Sequence, residues 1–167
     1  PTLSMTVSIR PGSSRTFFTH SIYVNDMRIG ELSGTFEATD IDKRFTGSFV
    51  LGEGMKQVKI HFPWSAASRL VDFSLAEGSQ VLPVQKERTL LIFGDSITHG
   101  YDALVPENSY ASQLAARLNA NAFNKAIGGE TFWPELAAAK DKITPDFITV
   151  AYGTNDWSHC STEEFES

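Results

Sequence analysis

Thr89-Leu90-Leu91-Ile92-Phe93-Gly94-Asp95-Ser96-Ile97-Thr98-His99-Gly100 is the stretch that decides the fold. Residues 89–93 form an unbroken apolar run, the mark of a strand buried on both faces of a parallel sheet. The run stops at Gly94, and a serine follows two residues later. A serine on a glycine-flanked strand-to-helix turn can expose its hydroxyl and leave its own N–H free to donate. That is the logic of a nucleophile turn, although the local pattern is not the G-x-S-x-G elbow.

The same grammar continues downstream. Asn108 or Ser109 can cap a helix on which Tyr110, Leu114 and Leu118 recur on one face. Ala122–Asn124 reads as a brief second strand. Pro134 is well placed as the first residue of a helix through Glu135–Lys140. Phe147–Tyr152 reads as a third buried strand. The order β-α-β-α-β predicts a parallel, doubly wound sheet.

Upstream the period is two. Leu3, Met5, Val7 and Ile9 alternate with polar residues, as in a half-buried strand. Ile22 and Val24 lead into Asn25-Asp26, with Met27 and Ile29 beyond, which reads as a hairpin. Val58 and Ile60, then Val71, Phe73 and Leu75, alternate again. About seven or eight short strands with regular turns over residues 1–84 predict an antiparallel sandwich or jelly roll. The polar end of Pro83–Arg88 marks the change of grammar. The expected organisation is two domains, β followed by α/β: a β-sandwich over 1–86 and an α/β domain over 87–167.

Composition narrows the function classes. The chain has 167 residues and a formal net charge of −6, with 41% apolar and 20% charged residues. That is enough apolar matter for a core. The acidic balance, with Lys and Arg scattered, argues against nucleic acid and against an anionic membrane surface. No apolar stretch approaches the roughly 20 residues needed to span a bilayer. The single cysteine, Cys160, reads as an inert thiol and excludes an intrachain disulfide and a zinc cluster. With no signal peptide visible, the expected location is the cytoplasm.

Ligands of an open parallel sheet bind outside the carboxyl ends of its strands. Three segments are expected there: Gly94–Gly100, then Asn124-Lys125-Ala126-Ile127-Gly128-Gly129-Glu130-Thr131, then Gly153-Thr154-Asn155-Asp156. Two glycines let backbone N–H groups approach a substrate. An Asn amide can donate into the same space. Ser96 N–H, Gly129 N–H and the Asn155 amide would make a three-donor oxyanion hole, each donor typically worth about 3–4 kcal/mol at a transition state. Asp95 reads as a structural residue bonding loop N–H groups, and Glu130 and Asp156 as loop caps. Tyr101, Trp133 and Trp157 are the aromatic candidates for lining a substrate site, with ordinary packing the competing reading.

These three segments, in this order and spacing, resemble the first three blocks of the SGNH (GDSL) hydrolase family, over roughly residues 89–157. The resemblance implies a flavodoxin-like, three-layer α/β/α domain and a serine nucleophile, with no metal and no cofactor. By the resemblance Ser96 is the nucleophile, and Ser96, Gly129 and Asn155 form the oxyanion hole. The leading sandwich resembles, by architecture alone, the jelly-roll domain ahead of the hydrolase domain in a subset that includes carbohydrate deacetylases. The implied activity is hydrolysis of short-chain acyl esters, carbohydrate acetyl esters among them, through an acyl-enzyme. An acyltransferase using the same serine, or a glycan-binding sandwich with an inactive hydrolase remnant, are the alternatives.

A serine hydroxyl needs a base, most often His. The family's Asp-x-x-His forms a later block, and the sequence has none beyond its third block: its one Asp-x-x-His spacing, Asp156-Trp157-Ser158-His159, overlaps that third block. The four histidines are His20, His61, His99 and His159, and none stands at the family's base position. The expectation is therefore that the chain is the first part of the hydrolase domain, with about 80–120 residues, two βα units, beyond Ser167. A missing C-terminal segment or a second copy of the chain would complete the site.

Overall fold

The structure is a computed structural model that describes residues 1–138, 140–159 and 161–166. Cys160 lies outside the described residues. The chain forms two compact units, Pro1–Pro83 with Leu104–Glu107, and Val84–Ala103 with Asn108–Ser167.

The first unit holds six strands, β1 (Thr2–Pro11), β2 (Phe17–Val24), β3 (Met27–Thr35), β4 (Lys43–Val50), β5 (Val58–His61) and β6 (Ala66–Leu75). They form two antiparallel sheets of order β4-β1-β6 and β3-β2-β5. The period-two reading of β1 holds at its apolar positions, Leu3, Met5, Val7 and Ile9 being buried to within 1%, while Ser8 between the last two is buried as well. They join Phe18 and Ile22 from β2, with Leu32 and Phe36, in one core. Burying each such large side chain contributes about 1.5–3 kcal/mol. The hairpin between β2 and β3 turns at Asn25 and Asp26, with φ of 48° and 64°. Positive φ at both positions is what a two-residue type I′ turn requires, and Asn and Asp tolerate it. Asn25 also bonds to Gln57, the residue before β5, donating its N–H to Gln57 O and accepting from Gln57 N with Oδ1, at 2.9 Å each.

Six strands are fewer than the seven or eight expected. Val81 and Leu82 form none: Pro83 lacks a ladder donor, and both apolar side chains are exposed. In β6 the register slips opposite Thr6/Val7, leaving Val71 unpaired as a bulge and both Val71 and Phe73 partly exposed.

His20 on β2 is fully buried, its Nε2 lying 2.8 Å from Ser68 Oγ and its ring edge-on to Phe18 and Phe62. Burial disfavours the imidazolium and lowers its pKa from 6.5 to about 4, against a smaller opposing effect of a backbone hydrogen bond with Leu32. The unfolded chain takes up this proton near pH 6.5 and the folded unit only near 4. Stability from neutral His20 is therefore complete above pH 6.5 and lost as pH falls from 6.5 to 4, by about 3 kcal/mol in all. Urea unfolding at pH 7 and 4.5 should show this loss in the wild type and a smaller one in His20→Gln. Equal losses in both proteins would contradict it.

The second unit is built on β7 (Arg88–Gly94), α1 (Ser96–His99), α2 (Tyr110–Arg117), β8 (Ala120–Asn124), β9 (Phe147–Ala151), α3 (Asp156–His159) and α4 (Thr162–Glu166). Its sheet is parallel, in the order β8-β7-β9. With β7 first in sequence, the strand order is 2-1-3. Leu90 and Ile92 are fully buried and pack with Ala111, Ala115 and Ala120. Thus α2, capped by Ser109, sits on the sheet through two alanines, with Leu114 and Leu118 flanking the contact. Small residues allow the closest approach, so the stripe's centre lies one position from the Tyr110–Leu114–Leu118 line.

Two downstream expectations change. Pro134 does open a helical segment, but it is a 3₁₀ turn, Pro134–Ala138, with Leu136 N–H donating to Trp133 O. Five residues suit the tighter i+3 pattern. The strand β9 is not buried: Ile148 is 58% and Val150 54% exposed. Among the described residues β9 pairs only with β7, so it is an edge strand of this sheet. No helix of the described residues is long and apolar enough to cross a membrane.

Candidate active site

The register of the parallel sheet sets Ile92 beside both Asn124 and Thr149, and Gly94 beside Ala151. The carboxyl ends of β7 and β9 are therefore level and that of β8 falls two residues short, all on one edge of the sheet, and the loops that leave them carry Ser96, Asn155 and Gly129.

Gly94 shows why the first loop has its sequence. A Cβ there would lie 2.1 Å from Thr98 Oγ1 and 2.6 Å from Ala151 O, so only glycine fits where β7 passes into α1. Asp95, 2% exposed, caps the helix by accepting from Ile97 N at 2.9 Å. That matches the structural part expected of it. Ser96 is the first residue of α1, partly exposed, and its N–H falls among the amides that a helix leaves without an intrahelical acceptor. Gly100, at φ 111°, closes the turn with its N–H on Ile97 O and Ser96 O.

Two residues not singled out in the sequence hold this helix. The buried Thr98 side chain meets Tyr110 OH at 2.7 Å. Asn124, the last residue of β8, donates from Nδ2 to Thr98 O at 2.8 Å and accepts from Ala126 N at 3.1 Å. An Asn at the last position of the strand, where the loop begins, was the signal available.

The second loop is fixed to the first, with Ile127 N–H donating to Gly94 O at 3.0 Å. Gly129 adopts φ 84° and is exposed, with open space where a Cβ would stand. The backbone of Gly128 lies against the ring of Tyr101: a Cβ there would come 3.2 Å from Tyr101 Cε2. Tyr101 also meets His99 edge-on at 5.8 Å. Of the three aromatic candidates, Tyr101 alone is brought against one of the loops by these contacts. Trp133 is 52% and Trp157 90% exposed, and neither enters a core.

The third loop reaches across to the second through two consecutive side chains. Asn155 Nδ2 donates to Glu130 O at 2.8 Å, which uses one hydrogen of the amide and fixes the plane of the other. Asp156, 3% exposed, accepts from Phe132 N at 2.8 Å with one oxygen and from Gly153 N at 3.0 Å with the other. The loop-cap reading of Asp156 is correct but understates it, since it caps two loops at once. Tyr152 OH donates to Glu130 Oε2 at 3.3 Å; burial first, then the Glu130 charge, raises the phenol's pKa, so it remains a donor. His159 lies exposed on α3. No group of three or more His, Cys, Asp or Glu among the described residues could hold a metal ion.

Residues 92–166 match the GDSL-like lipase/acylhydrolase family. No curated protein sequence matches the chain. Among solved structures, the chain is similar to a family two carbohydrate esterase from Clostridium thermocellum, at 20% identity and a TM-score of 0.68, covering 95% of this chain and 58% of that one. It is similar to a salicylyl-acyltransferase from a tetracycline biosynthetic pathway, at 18% identity and a TM-score of 0.69, covering 94% and 48%. A third is an acetyl xylan esterase from the rumen bacterium Butyrivibrio proteoclasticus, at 18% identity and a TM-score of 0.67, covering 94% and 54%. The chain thus spans about half the length of the structures it matches.

Proposed function

We propose, because residues 92–166 match the GDSL-like lipase/acylhydrolase family, that this chain carries the nucleophile and oxyanion hole of a serine esterase acting on short-chain acyl esters. The observation that supports the reading is the parallel register, in which the loops that carry Ser96, Gly129 and Asn155 all leave the carboxyl edge of one sheet. Ser96 Oγ attacks the ester carbonyl as a base histidine takes its proton. The oxyanion is held by Ser96 N–H, Gly129 N–H and the Asn155 amide. The alcohol leaves with the proton returned by the histidine, and water then releases the acid from the acyl-serine.

The one Asp-x-x-His spacing, Asp156 to His159, overlaps the third block, with Asp156 bonded to Phe132 N and Gly153 N and His159 exposed on α3, so the base histidine and its orienting Asp are proposed to come from outside residues 1–167. We read the two compact units as two domains, a jelly-roll sandwich and an SGNH-type α/β domain. Carbohydrate acetyl esters are the proposed substrates, in line with the names of two of the similar structures. Transfer of the acyl group to an alcohol other than water is the second reading, favoured by the similar acyltransferase. Product analysis with and without an acceptor alcohol separates the two. Asn155→Ala should lower kcat on p-nitrophenyl acetate by about 10²–10³-fold with the fold retained. Turnover within a few-fold of wild type would remove Asn155 from the oxyanion hole.

A further inference from the structure

We infer that Asp156 is a positioning residue for the oxyanion hole, acting through the loops that carry Gly129 and Asn155. The inference rests on the esterase reading above and assigns a part to a side chain which that reading leaves out.

Four contacts join residues 152–156 to residues 130–132. They are Asn155 Nδ2 to Glu130 O, Phe132 N to Asp156 Oδ1, Tyr152 OH to Glu130 Oε2, and the Phe132 and Tyr152 rings, edge-on at 5.8 Å. Only Asp156 also bonds back to the start of its own loop, through Gly153 N. Gly153 sits at φ 125°, a conformation that glycine favours and that sets the direction in which the chain leaves β9. The buried carboxylate thus defines two angles together: how the 153–156 loop departs, and where the 129–132 loop lies beside it. Gly129 itself is exposed, at φ 84°, with open space where a Cβ would stand, so no side-chain packing at Gly129 holds its N–H, and the neighbouring 130–132 segment is what anchors the loop.

A carboxylate suits this position better than an amide. Both partners are N–H donors, so both side-chain oxygens must accept. In Asp156→Asn one oxygen becomes an NH₂ facing an N–H, and one bond is replaced by a donor–donor contact. The side chain keeps its size, so the core is not disturbed. Displacement of a transition-state donor by a fraction of an ångström lowers the rate without changing how the ground-state ester is held.

The test uses the full-length protein that contains this chain. Asp156→Asn should lower kcat on p-nitrophenyl acetate by about 10²-fold with KM changed little. Affinity for an alkylboronic acid, whose tetrahedral adduct on Ser96 mimics the transition state, should fall by the same factor. A merely structural role would alter the melting temperature and leave that proportionality absent. Wild-type kcat and boronate affinity in Asp156→Asn would overturn the inference, whereas no turnover by the wild type, with none lost in Ser96→Ala, would overturn the esterase reading instead. Amide exchange of the wild type tests the same device without a substitution. The Phe132 and Gly153 N–H groups, outside any strand ladder, should be protected and should open together. Fast exchange at either would contradict the clamp.

Discussion

Ser96→Ala in the protein that contains this chain is expected to lower kcat on short-chain p-nitrophenyl esters by about 10⁴–10⁶-fold, the scale on which a triad nucleophile matters. The argument is geometric. Ser96 begins α1 directly beyond the end of β7, where Gly94 lets the chain turn within contact distance of Thr98 and Ala151. Asp95, Asn124 and Tyr110 hold that turn from three directions. Removing the hydroxyl disturbs none of these contacts, so the variant should fold with unchanged stability. What remains is the rate supplied by binding and the oxyanion donors alone. A variant that melts with the wild type and turns over at a wild-type rate would exclude Ser96 as nucleophile.

The second large effect is on stability. Gly94→Ala should destabilise the Val84–Ala103 and Asn108–Ser167 unit by about 3 kcal/mol or more, because the new Cβ meets Thr98 Oγ1 at 2.1 Å and a backbone oxygen at 2.6 Å. Thr98 is itself pinned by Tyr110 and Asn124, and Ala151 O belongs to a strand, so neither can move away cheaply. Gly129→Ala is the control. It meets no atom within 4 Å, and its cost is the left-handed backbone alone, about 1–2 kcal/mol. Urea unfolding of the two variants checks the order. A Gly94→Ala protein as stable as Gly129→Ala would show that the turn can relax.

What the sequence made legible was local. Alternation in β1, the Asn25-Asp26 turn, the apolar run of β7 and the Ser109 cap follow from rules that span a few residues, and each appears in the structure. The three loop motifs were legible for the same reason, and the parallel sheet then brings their loops to one edge. What was not legible depends on distant partners. The sheet orders β4-β1-β6 and β3-β2-β5, and the bulge at Val71, depend on pairing across tens of residues. The exposure of β9 depends on which strand lies beside it, while its apolar sequence reads as buried. Asp156 illustrates the limit best. Its type and place in a loop say "cap", but that it caps a second loop 24 residues earlier is visible only once β8 and β9 flank β7.

The most direct test of the central claim is to trap the acyl-enzyme. The full-length protein would be mixed with excess p-nitrophenyl acetate, quenched in acid during the burst, digested and examined by mass spectrometry. The account predicts one acetyl group on the peptide that contains Ser96, fragmenting to that serine, and none in Ser96→Ala. Rapid turnover with the acetyl group on another residue, or with no acyl-protein at any time, would contradict it.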